Sequence, residues 1–125
     1  MSSADTPSGP VVRIEDSEAQ YFTFLPDDAW KLDGDLNVHQ TYAQNASATV
    51  VFNGTRIRFY ADVSPRHGLF SAAVDAGPTA VFSSWATDWI RRQLLYTSPP
   101  LDPGQHILYL RSLTEGAPFE VDFIE

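Results

Sequence analysis

The chain has no cysteine. That excludes a disulfide framework, a thiolate metal site and a cysteine nucleophile. Basic residues are scarce as well: 8 Lys and Arg stand against 16 Asp and Glu, a formal charge of −8 at pH 7 with a pI near 4.6. A field of that sign repels a phosphate backbone, so no nucleic acid is expected among the partners. Long apolar runs are missing too. Stretches such as Ala48–Phe52 (ATVVF) are strand-sized, well short of the roughly 18–20 residues of a membrane helix, and no membrane insertion is expected. The opening MSSADTPSGP lacks both the basic start and the apolar segment of a signal peptide. Residues 1–10 therefore read as a flexible lead or linker and residues 11–125 as one domain. With Met1 as the sole methionine and Glu125 ending inside a strand-like segment, the chain is expected to be a domain taken from a longer protein.

Helical spacing is the last absence. No long segment repeats its apolar residues with that period, whereas period-two alternation recurs throughout. Strand-like runs include 11–14, 20–24, 37–43, 47–52, 56–61, 69–75, 79–82, 93–98, 106–112 and 118–125, with turn signals between them. Such a pattern predicts an all-β fold, a two-sheet antiparallel sandwich of jelly-roll type, with helix limited to a turn within 84–89. Asn53-Gly54 between two runs is a strong hairpin signal and predicts that 47–52 and 56–61 pair with each other. Parity places Ile57 and Phe59 opposite Arg56 and Arg58, and Phe119, Val121 and Phe123 opposite Glu120 and Asp122.

Aromatic residues in polar surroundings supply the first candidate site. Trp85 and Trp89 lie in SSWATDWIRRQ, beside Asp88, Arg91 and Arg92. A sugar ring has an apolar C–H face on which an indole can stack while carboxylates and guanidiniums bind the hydroxyls. Equally physical is a tryptophan that caps the core with its N–H on a carboxylate. Arg66 and His67, before Gly68, could clamp a carboxylate or hydroxyls, or merely point outward from a loop. Trp30, next to Asp27 and Asp28, is a further aromatic contact or a core residue. Catalytic signals are thin: His39, His67 and His106 form no metal-binding or hydrolase motif, and Asp33 and Asp35, which could act as acid and base, sit in a turn composition. Asn45-Ala-Ser47 and Asn53-Gly-Thr55 are glycan-acceptor triplets for a eukaryotic secretory route.

In order along the chain, the segments FNGTRIRFY (52–60), HGLFSAAVD (67–75) and LDPGQHIL (101–108), framed by VRIEDSEAQYFTF and FEVDFIE, are the most specific. The chain resembles the galactose-binding-like β-sandwich domains of the carbohydrate-binding-module type over about residues 11–125. It departs in VDAG, where such domains often carry Val-Asp-Gly-Gly, and in EDSE in place of Asp-Asp-x-Asp. The resemblance implies a non-catalytic module that binds an oligo- or polysaccharide, extracellular or at the cell surface, beside neighbouring domains of a larger protein. No cofactor is required. Glu15, Asp16 and Asp122 look like the positions at which related domains hold a structural calcium, although Glu120 and Asp122 could instead pair with Arg56 or Arg58. A structural or protein-interaction sandwich without sugar binding is the alternative.

Overall fold

The computed structural model describes residues 12–18, 20–33, 38–75 and 77–125, without the side chains of Asp27 and Asp33. The lead 1–10, Val11 and Asp35 thus lie outside the described residues, as does the proposed pairing of Asp33 with Asp35. Among the described residues twelve strands follow one another: β1 (Ile14–Glu15), β2 (Phe22–Leu25), β3 (Trp30–Asp33), β4 (Val38–Thr41), β5 (Ser47–Asn53), β6 (Arg58–Val63), β7 (Leu69–Val74), β8 (Ala80–Ser83), β9 (Ile90–Thr97), β10 (Gln105–Ser112), β11 (Phe119–Val121) and β12 (Phe123–Ile124). No α-helix occurs among the described residues, and the one 3-10 turn is Asp27–Ala29 rather than 84–89. Among the described residues no helix is long and apolar enough to cross a membrane.

Three antiparallel sheets result, in the orders β2-β5-β10-β7-β8, β1-β12-β6-β9 and β11-β4-β3. The three sheets contribute to one core cluster. Alternation explains why. In β5, Ala48, Val50 and Phe52 are buried while Ser47, Thr49 and Val51 turn the other way. Three phenylalanines join the sheets, one from each: Phe59 of β6, Phe70 of β7 and Phe119 of β11, with ring centroids 5.2–6.1 Å apart.

The expected hairpin does not form. β5 pairs with β2 and β10, while β6 pairs with β12 and β9, so Asn53-Gly54 carries the chain from one sheet to another. A two-residue primed turn, I′ or II′, needs positive φ at its first central residue, and Asn53 does not adopt it. The connection is held from outside instead: Gly54 N–H donates to Gly104 O at 3.0 Å and Leu101 N–H to Thr55 O at 2.7 Å.

Parity at the C-terminus holds only in part. Phe119 and Val121 enter the core, yet the strand changes partners at Asp122, leaving β4 for β6. Beyond that change Phe123 stacks on Tyr60, with centroids 4.6 Å apart, outside the main core cluster. Glu120 and Asp122 are buried rather than on a solvated face. His67 Nε2 lies 3.8 Å from Glu120 Oε2, and Arg92 Nε lies 3.3 Å from Asp122 Oδ2.

Candidate functional site

The edge strand β9 and the loops 64–68 and 83–89 form one edge of the sandwich. A parallel bridge between Ser64 and Trp85 ties the two loops together, and Ala86 N–H donates to Ser64 O at 3.2 Å. Ser84 N–H in turn donates to Gly68 O at 3.0 Å. A side chain at Gly68 would overlap Thr114, since a Cβ there would fall 2.6 Å from the Thr114 Cβ, so only glycine admits this approach. On this clamped frame Trp85 and Trp89 are 54% and 55% exposed.

Asp62 organises the edge from beneath, and no motif pointed to it. Opposite Asp62 the register slips: Ala61 pairs with Gln93 and Val63 with Ile90, which leaves Arg91 and Arg92 as a bulge. Arg92 has φ 55°, the left-handed region, a conformation that costs a non-glycine residue roughly 1–2 kcal/mol. The fully buried Asp62 carboxylate offsets this by accepting from the Arg92 N–H at 3.0 Å and from the Trp89 Nε1–H at 3.1 Å. Arg91 Nε lies 3.5 Å from the same carboxylate. Trp89 thus has its N–H anchored on a carboxylate while much of its ring faces solvent. The usable signal was a lone Asp on the polar parity of the RFYADV run.

The other expected site residues separate. Asp88 and Arg66 are exposed on the two loops of this edge. His67 is not on the surface: it is buried with Nε2 3.8 Å from Glu120 Oε2, and burial pushes its pKa down. Trp30 is also a correction, being core. Its ring packs on Phe24 and Phe119, and its Nε1–H donates to Leu25 O at 3.1 Å, so neither face nor edge is left for a ligand.

Each of the three residues expected as calcium ligands meets a partner within the chain. Glu15 pairs with Arg13, Asp16 Oδ2 lies 2.5 Å from His39 Nδ1, and Asp122 Oδ2 lies 3.3 Å from Arg92 Nε. Among the described residues no group of three or more His, Cys, Asp or Glu is arranged to hold a metal ion. Asp16 Oδ1 and both Asp122 oxygens are buried without a hydrogen bond, and Arg92 Nε stands 3.3 Å from Asp122 Oδ2.

Burial pushes Asp122 up to about 6; Arg92 opposes the shift, and Asp16, Asp62 and Glu15 add to it. An unfolded aspartate titrates near pH 4, so between about pH 4 and 6 the folded chain holds the extra proton and this group's contribution to stability is lost as pH rises. His67 works in the opposite direction, since a histidine buried neutral loses stability as pH falls below about 6.5. Asp122→Asn is therefore expected to be equal to the wild type or up to about 2 kcal/mol more stable at pH 7, with the gap closing towards pH 4. Thermal melts of both proteins across that range isolate Asp122, because His67 is common to them. A variant that melts well below the wild type at pH 7 would mean that the Arg92 pair outweighs burial.

With the geometry in place, the chain can be set beside known proteins. No family model matches it, and no curated protein matches significantly. A solved structure shares its fold. A family two carbohydrate esterase from Cellvibrio japonicus superposes with a TM-score of 0.66 at 13% identity, over 90% of this chain and 32% of that one. The chain thus spans about a third of the length of that esterase. At this identity the likeness establishes the all-β sandwich fold.

Proposed function

We propose that this chain is a non-catalytic carbohydrate-binding module whose edge, carrying Trp85 and Trp89, recognises glycans. The observation that carries the reading is a pair of half-exposed indoles on a clamped edge, one of them oriented by a buried carboxylate. Preorganised aromatic faces suit the C–H faces of sugars, with Asp88, Arg91 and Arg66 within the same edge for hydroxyls. Similarity to one third of a carbohydrate esterase supports a module that accompanies carbohydrate chemistry without performing it.

Titration of intrinsic fluorescence with a panel of soluble glycans tests the proposal. Trp85→Ala and Trp89→Ala are each expected to weaken binding about tenfold, the scale of one lost aromatic contact, while still melting cooperatively. Equal affinity in wild type and both variants would remove this edge from recognition.

A second reading has its own observation. Ile90 and Leu94 are also exposed on β9, so this edge strand carries apolar groups besides the tryptophans of the adjoining loop. Its charged groups Asp62, Arg91, Arg92 and Asp122 are already paired with one another. An apolar strip with a polar rim is how a docking face against a neighbouring domain is built.

A further inference from the structure

We propose that His106 is a pH-sensitive latch: as an imidazolium it bridges the Asp75 carboxylate and the Asp102 carbonyl and holds the 98–104 loop on the β5–β6 crossover, and on losing its proton it lets that loop go. The inference is independent of what the tryptophan edge binds.

The latch stands where the three most specific segments of the sequence meet. His106 belongs to LDPGQHIL, Asp75 closes HGLFSAAVD, and Phe52 opens FNGTRIRFY. His106 and Phe52 are register partners on β10 and β5, with ring centroids 5.7 Å apart. Along the same face of β10, Leu108, Leu110 and Ser112 are buried, whereas His106 is only half-buried at the end of the strand. Its ring therefore lies where the core ends and polar partners begin.

Geometry calls for the second proton. His106 Nδ1 lies 2.7 Å from Asp75 Oδ2, and Nε2 lies 2.6 Å from Asp102 O. Both partners are acceptors, and a neutral imidazole carries a single N–H, so only the imidazolium donates to both at once. The charges acting on the ring are the carboxylates of Asp75, at the end of β7, and of Asp102, in the loop, and both favour the proton. Phe52, on the neighbouring strand, is uncharged. The bond to the Asp102 carbonyl, followed by that to Asp75, raises the His106 pKa above its ordinary value near 6.5. The imidazolium in turn holds Asp75 below the usual carboxylate range.

The two contacts are not equal. Asp75 is fixed from behind, since its Oδ1 accepts from Ile107 N–H at 2.9 Å and its own N–H donates to Ile107 O at 2.8 Å. A neutral ring therefore keeps its proton on Nδ1, facing the carboxylate, and turns a bare Nε2 lone pair on the Asp102 carbonyl. Two acceptors at that separation repel, and the loop backs away. The crossover depends on that loop: Gly104 O accepts from Gly54 N–H, and Leu101, which packs on the core, donates its N–H to Thr55 O.

The sign of the pH dependence follows. A raised histidine contributes its full stability below its unfolded value and loses it as pH rises through the folded one. A depressed aspartate loses its contribution only as pH falls below about 4. The latch is thus complete between about pH 4 and 6.5 and opens on the alkaline side.

The test is an NMR titration of the full chain over about pH 5 to 8.5, following the histidine ring nitrogens and the hydrogen-exchange protection of the Gly54 and Leu101 amides. We expect the His106 ring to titrate above its ordinary value and to leave its proton on Nδ1. Protection of both amides should fall about fivefold at the same midpoint, the scale of one lost hydrogen bond. Asp75→Asn retains an acceptor for Ile107 N–H and tolerates the left-handed φ of 54° at this position, and it should lower the ring and amide midpoints together. An Asp75 that served only the turn would not move the pH at which Gly54 opens. His106→Gln should abolish the pH dependence of protection, and it reads the latch if Asp75→Asn fails to fold. Protection that stays level while the wild-type His106 ring titrates, or a ring midpoint at or below 6.5, would overturn the latch.

Discussion

Replacing Phe59 with alanine is expected to remove about 3–5 kcal/mol of stability, the usual cost of deleting a buried phenyl ring. Phe59 has no exposed surface, and its ring meets Phe70 and Phe119, so it contacts both of the other sheets from β6. Neighbours can refill such a site only if one sheet moves, and each sheet is held by its own ladder, so the void persists. For a domain whose total stability is about 5–15 kcal/mol, the variant would sit near the limit of folding. Urea denaturation followed by circular dichroism reads the change. A loss below about 1.5 kcal/mol would mean that the three sheets are not joined through this ring.

Asp62→Ala should produce the second large effect, about 2–4 kcal/mol, because hydrogen bonds to a charged acceptor contribute about 1.5–3 kcal/mol each and two donors would be left without it. Those donors are the Trp89 Nε1–H and the Arg92 N–H. Without the acceptor, the left-handed Arg92 bulge has less to hold it, and β9 should loosen over Ile90–Gln93 before the rest of the sandwich. The same substitution separates position from stability. Asp62→Asn keeps one acceptor oxygen and loses the charge facing Arg91, so it should recover part of the stability. In an NMR spectrum the Trp89 indole N–H signal should move and exchange faster in Asp62→Ala than in Asp62→Asn. If the indole signal stays in place in both, Trp89 is positioned by something other than this carboxylate, and the edge is not preorganised by it.

How much of this was legible beforehand differs between the layers of the argument. Alternation in 47–52 and 106–112 is strict enough that buried and outward residues could be named from parity, and β5 and β10 follow it. Ile57 and Phe59 were assigned to one face for the same reason and are core. β3 was missed, since Trp30–Asp33 offers only four residues between acidic turns. In the site, sequence context marked Trp85 and Trp89 as aromatics in polar company and both are exposed, while Trp30 looked similar and is buried. Composition around an aromatic does not say which neighbour will cover it.

Local pattern alone determined that this chain is all-β and that its strands carry one apolar face. Those properties depend on residues within a few positions of one another. The tertiary structure decided the rest: that Asn53-Gly54 bridges sheets instead of closing a hairpin, that Asp122 is buried where the last strand changes partners, that Asp62 holds Trp89 from 27 residues away, and that His106 meets Asp75 from 31 residues away. The physical reason is common to all four. A backbone N–H, a carboxylate or a ring is satisfied by whichever partner packing brings to it, and in an antiparallel sandwich those partners come from distant parts of the chain.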